Sequence, residues 1–317
     1  MIRLSQSQRA RLRWIFTGSD GIRAGWSIAI FLLIIGAAGG LLQLGLHFLH
    51  IKKPDGGEVA PLFILLAETI TIALVFGAGA VMARIEKRSV WSYGLTGPHK
   101  LTNFLVGAAG GLASLTAVVA CLSAGGYLVF DGIALHGFSI VTYGLIWLFA
   151  FFLVGVAEET MFRGYLLSTL TRGMGFWPGA VLLSLLFAAA HIHNKGETVL
   201  GIAEVVTAGL ALCLLLRVTG SLWMSIGFHS TWDWAQSYLY GTPDSAMLMK
   251  GHLLITHAAG NASLSGGSAG PEGSVLSPVG LVLGPLLLIW ICRRTGLAVT
   301  PALRTQATVA TAAQETA

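Results

Sequence analysis

The sequence predicts an all-α fold, a polytopic membrane helix bundle of about eight transmembrane helices. Three observations predict it. The 317 residues are 55% hydrophobic and only 10% charged, with a mean hydropathy of +0.76, well outside the balance of a soluble domain. The apolar residues form continuous runs, several of which approach the roughly 20 residues a helix needs to cross a hydrocarbon core of about 30 Å. These runs are rich in Leu, Ala and Gly, unlike the short alternating segments of a membrane β-barrel.

Taken in order, the first expected span is 26–49. It follows the basic segment 1–25, MIRLSQSQRARLRWIFTGSDGIRAG, and is too long for the core of a cleaved signal peptide, so it is expected to remain as an anchor. Spans 60–83, 104–130 and 139–157 follow. The third carries Gly107, Gly110 and Gly111, small residues that let helices approach closely. Then come 177–192, 199–216, 221–240 and 279–292, of which the fifth and eighth are the shortest. Residues 241–278 form the longest connection, and their Gly, Ser and Pro content predicts an irregular external loop. The whole reads as one transmembrane domain over 26–294, with a flexible cytoplasmic tail at 295–317. No internal repeat is visible, which weighs against a transporter built from inverted halves.

The net charge of +5 needs no acidic partner, and no nucleic-acid motif is present. With a cytoplasmic N-terminus and eight spans, fourteen Lys and Arg fall in inside segments and four in outside loops, as the positive-inside rule expects. Both termini are therefore expected in the cytoplasm, and Arg172 and Arg217 serve as topology anchors. Cys121, Cys213 and Cys292 lie in apolar spans and read as small buried hydrophobes without a disulfide.

Against this background Glu158, Glu159 and Arg163 stand out at the end of an apolar helix. A charge near the bilayer centre costs about 2.5–3.5 kcal/mol on insertion scales, so these groups need partners or water. Glu159 and Arg163 are four apart in the favourable acid-first order and are expected to neutralise each other. Glu158 points about 100° away and is left for another partner. Phe187 and His191 are likewise four apart, as are His229 and Asp233. Drawn as a simple hairpin, the fourth and fifth spans hold Glu158 and His191 at different depths. A shared site requires the glutamate helix to run deeper or the fifth helix to be short. Glu68 and Glu204, also within apolar spans, are expected either to line a cavity or to bond between helices. His193 is expected at the interface, facing away from His191. Gly270–Ser274 reads as a turn, and the glycosylation sequon at Asn261 carries no weight.

A set of Glu, two His and Asp suits water activation: a base for water, a stabiliser for the oxyanion and a proton for the leaving amine. Glu158, His191 and His229 are equally candidates for a divalent metal such as zinc, since two His and one Glu form a known catalytic shell. HExxH is absent, and the residues leave both options open.

EETMFR (158–163), FAAAH (187–191) and HSTWD (229–233), in this order and in apolar settings, resemble the three signatures of the CAAX protease and bacteriocin-processing (CPBP, or ABI) family of intramembrane endopeptidases: EExxxR, FxxxH, and HxxxN or HxxxD. The resemblance covers roughly residues 140–240. It implies a helical core whose polar groups converge in a water-accessible cavity. Glu158 with His191 would activate water, His229 with Asp233 would stabilise the oxyanion, and Glu159 with Arg163 would support the site. Asp233 stands where Asn is often found. An ionised Asp cannot donate to an oxyanion, so orienting His229 is its alternative task. The resemblance also implies a bacterial cytoplasmic membrane, a lipid surround and a peptide or membrane-protein substrate, with no oligomeric state fixed. Two other classes use the same features: a non-proteolytic immunity or binding protein of this fold, and a proton-coupled transporter.

Overall fold

A computed structural model describes residues 7, 14–18, 21–48, 57–192, 198–245 and 247–296. The expected His193 position and the tail beyond 296 lie outside the described residues. Helices dominate: α1 (Ala24–Phe48), α2 (Pro61–Ile85), α3 (Lys100–Ala124), α4 (Phe138–Glu159), α5 (Leu167–Met174), α6 (Phe176–His191), α7 (Val199–Thr219), α8 (Trp223–Trp234), the short α9 (Ala262–Ser265) and α10 (Leu276–Thr295). The chain is an integral membrane protein. Among the described residues, six helical runs are long and apolar enough to cross a membrane: 24–48, 61–85, 100–124, 138–174, 199–219 and 267–295. The expected fifth and seventh spans correspond to the shorter α6 and α8.

Local chemistry sets the boundaries. Pro61 opens α2 in the first turn, where its missing N–H breaks no helical bond. The Thr198 hydroxyl caps α7 by accepting from Gly201 N at 3.0 Å. Gly220, at φ 71°, closes α7 in the left-handed conformation that glycine adopts without strain. α8 begins three residues later.

Two expected boundaries change. The third span ends at Ala124 and not at residue 130, because Gly125 and Gly126 break the helix. The apolar residues that follow form β1 (Leu128–Ile133), antiparallel to β2 (Leu254–Ala258) with Leu128 opposite Ala258. Segment 241–278, expected to be irregular, therefore carries a strand and two short helical turns. The fourth span does not stop near 157. α4 passes through a π turn at Thr160–Leu166 into α5, giving one run of 37 residues from Phe138 to Met174. Glu158 thus lies in mid-run and not at a helix end. α6, at 16 residues, is short. The continuation of the fourth run past Glu158, beside an α6 as short as expected, removes the depth mismatch of the hairpin drawing.

Small residues then set the helix separations. α3 lies against α8 so closely that a Cβ on Gly107 would collide with the Met224 carbonyl, and one on Gly111 with the Phe228 carbonyl. Gly227 returns the contact against Phe104 O. Backbone-to-backbone approach of this kind is how apolar helices associate in lipid. At one end of the bundle Glu86 ties α2 to α5. It accepts from Arg172 Nη2 at 2.9 Å, Tyr165 Oη at 3.1 Å and Tyr93 Oη at 3.2 Å. Arg172 is thus an interhelical partner. Arg217 lies over the Phe176 ring at 5.1 Å. All three cysteines are free. Cys213 and Cys292 are buried, but Cys121 faces outward from α3, contrary to expectation.

Candidate active site

The site is assembled from α4, its π turn, α6, α7 and α8. Glu159 has no exposed surface and Arg163 is 2% exposed. Glu159 Oε1 accepts from Arg163 Nη1 at 2.9 Å, the expected i, i+4 pair. The same oxygen lies 3.0 Å from His229 Nδ1. A carboxylate only accepts, so Nδ1 is the protonated nitrogen in this contact. Glu159 therefore does more than neutralise its own helix: it fixes the ring carried by α8.

The far edge of that ring faces two further carboxylates. His229 Nε2 is 3.4 Å from Asp233 Oδ2 and 3.8 Å from Glu158 Oε2. With carboxylates on both edges, the imidazole can donate from both nitrogens only as the imidazolium. Asp233 is thus placed beside His229.

On α6, His191 Nδ1 is 2.8 Å from the Phe187 carbonyl. A carbonyl accepts, so Nδ1 carries the hydrogen and Nε2 keeps its lone pair. The Phe187 ring meets the His191 ring at 4.7 Å and lies 4.6 Å from the Arg163 guanidinium carbon, a cation–π distance. Phe187 is thus the apolar joint between the arginine and the second histidine.

Glu158, His191, His229 and Asp233 line one cavity of about 160 Å³, room for several waters. Glu68 and Glu204 also line it. Glu158 and His191 share this space without a direct hydrogen bond between them. Glu159 and Arg163 stand behind its wall.

Two acidic groups on the cavity were not singled out from the sequence as site residues. Residues 241–245 and 247–253 form a strap along the cavity and contribute Asp244, Met247 and Met249 to its lining. The strap is pinned by Val59 N to Leu248 O at 2.8 Å and by Trp147 Nε1 to Lys250 O at 3.0 Å. Behind it Glu272, within the supposed simple turn, accepts from Ser245 N at 3.0 Å and also faces the cavity. Asp244 accepts from Ser237 Oγ at 2.9 Å. Burial pushes the Asp244 carboxyl up to about 6, against the Ser237 hydrogen bond and the nearby His229, which lower it.

The Nδ1 contacts of His191 with a carbonyl and of His229 with a carboxylate are ones that a metal-ligating histidine also makes, so they do not decide the metal option. Among the described residues no three His, Cys, Asp or Glu side chains converge as a metal shell. No step is therefore routed through a metal.

Fold and site together define a class: an integral membrane protein with an acid–histidine cluster around a small cavity among its helices. Residues 140–235, which contain all three motifs, match the family model described as type II CAAX prenyl endopeptidase Rce1-like. The match spans under a third of the chain, and it is this segment that is similar to the CAAX endopeptidase family. No curated protein matches the chain.

Proposed function

We propose that the protein is an intramembrane endopeptidase that hydrolyses a peptide bond of a membrane-associated peptide or protein. The observation that carries this reading is the convergence of Glu158, His191, His229 and Asp233, from three helices, on one cavity with room for several waters. The family match supports a CAAX-type protease.

In this reading Glu158 takes a proton from water. It is the least buried of the cluster's carboxylates, with its side chain 28% exposed. The Nε2 lone pair of His191 accepts from the same water and directs it at the scissile carbonyl. His229, held at Nδ1 by Glu159, turns its Nε2–H from Asp233 toward the developing oxyanion when substrate is bound. The proton gathered by Glu158 passes to the leaving amine. Arg163 holds Glu159 in place.

The first substrate class to assay is the one named in the family description, a prenylated C-terminal peptide. In proteoliposomes with such a peptide, Glu158→Ala and His191→Ala are each expected to lower turnover by about 10²–10⁴-fold, the range typical of lost acid–base catalysis. Undiminished turnover in both variants would sink the assignment. A chain acting only by binding a partner would instead keep its cellular effect in Glu158→Ala.

A further inference from the structure

A peptide C–N bond breaks only as its nitrogen gains a proton, since an amide anion is too poor a leaving group. In the proposed reaction Glu158 and the His191 Nε2 lone pair both accept from water, and His229 donates to the oxyanion. What hands a proton to the nitrogen is the open step. Asp244 is a buried and firmly placed carboxyl on the same cavity. It is 8% exposed and enters from the strap, an element apart from the helices that carry Glu158, His191 and His229. The end of α8 grips that strap through a π turn at Ala235–Leu239. Gln236 Nε2 donates to Pro243 O at 2.8 Å, Gln236 O accepts from Thr242 N at 3.0 Å, and Ser237 Oγ donates to Asp244 Oδ2 at 2.9 Å. Asp244 and Met247 also bond each other through both backbone N–H groups, at 2.9 and 2.8 Å. Asp244 is therefore tied to the helix that carries His229 and Asp233, as groups acting on one substrate must be. Only its Oδ2 is engaged. Oδ1 makes no hydrogen bond among the described residues.

We propose that Asp244 is a further catalytic residue, whose Oδ1 delivers the proton that lets the amine leave. This role rests on the peptidase reading. Because the Ser237 hydroxyl donates to Oδ2, the acidic hydrogen belongs on Oδ1. As the oxyanion collapses, the C–N bond breaks, its electron pair stays on nitrogen, and the nitrogen takes the Oδ1 hydrogen as a proton. The carboxylate left on Asp244 regains, through cavity water, the proton that Glu158 took from the attacking water. One water is consumed, its oxygen ending in the new carboxyl group, and both side chains return to their starting states. Burial pushes the Asp244 carboxyl up to about 6, so it gives and regains a proton readily near neutral pH. Around the cavity it faces the acids Glu68, Glu158, Glu204, Asp233 and Glu272, and the bases His191 and His229. Among the described residues no Lys or Arg lines this space, so no fixed cation opposes protonation there.

The test measures kcat of the full chain in proteoliposomes on two substrates: a prenylated C-terminal peptide, and the same peptide with a thioester in place of the scissile amide. A thiolate leaves without needing a proton. Asp244→Asn keeps the acceptor for Ser237 but has no acidic hydrogen. It is expected to lower kcat on the amide by about 10²-fold, and on the thioester by less than about threefold, as loss of a general acid alone would do. Equal losses on both substrates would mark a merely structural residue, and undiminished amide turnover would mean that Glu158 delivers the proton unaided. Either result overturns the proposal. So does a loss confined to the amide in Glu272→Gln and absent from Asp244→Asn, which would give the task to the carboxyl bonded to Ser245 N. Failure of the peptidase reading itself is distinct, since wild type would then cleave neither substrate.

Discussion

Glu159 and Arg163 form an ion pair with almost no exposed surface, and the third member, His229, joins them from a helix 70 residues on. Removing one partner of a buried pair leaves a charge without compensation, at a cost of about 3–5 kcal/mol. Arg163→Ala is therefore expected to lower Tm in detergent far more than the double variant Glu159→Gln with Arg163→Met, which removes both charges. Similar losses in the two would contradict a buried, mutually dependent pair. The pairing within α4 is legible in the sequence because residues four apart must meet on a helix. The bond from Glu159 to His229 is not, since no local spacing relates the two, and an expectation that gave Glu159 to Arg163 alone missed half of its task. Asp244 and Glu272 were less visible still: each sits in a Gly- and Pro-rich stretch where local pattern predicts a turn, and only the fold of 241–278 brings them to the cavity.

At the scale of elements, the separation of α3 and α8 governs where His229 stands. Gly107→Ala places a methyl group against the Met224 carbonyl, and neither backbone can yield locally. Overpacking of this kind costs about 1–3 kcal/mol, and because it displaces α8, turnover should fall along with Tm. A Gly107→Ala chain with full activity and unchanged Tm would show that the contact is looser than described. The strap gives a pH prediction. Asp244 titrates near 6 in the folded chain against 3.8 ordinarily, so the folded state holds its proton longer than the unfolded state does. Its contribution to stability is then fully present below about pH 4 and declines as the pH rises to about 6. Asp244→Asn, which can still accept from Ser237, should gain Tm relative to wild type across that window. A difference independent of pH would contradict a buried Asp244. The sequence overran the third span because the apolar run continues past Gly125 and Gly126 into a strand, and hydropathy does not distinguish the two. It ended the fourth span at the first charges, whereas those charges are internally paired and the helix continues.

For the molecule as a whole, composition settles the class of solvent the helices face, and the three motifs mark which of them meet. What composition leaves unspecified is depth. Only the continuation of α4 through its π turn, together with the shortness of α6, brings Glu158 and His191 to one cavity. The connection between α8 and α10 adds Asp244 and Glu272 to the lining of the same space, and α2 adds Glu68 from the first half of the chain. The central claim is that this cavity activates water for peptide hydrolysis. The most direct measurement is cleavage of a prenylated C-terminal peptide by the full chain in proteoliposomes, comparing wild type with Glu158→Ala and His191→Ala at matched reconstitution. The account predicts a cleaved product for wild type and turnover lower by at least about 10²-fold in each variant; cleavage by both variants at the wild-type rate would contradict it.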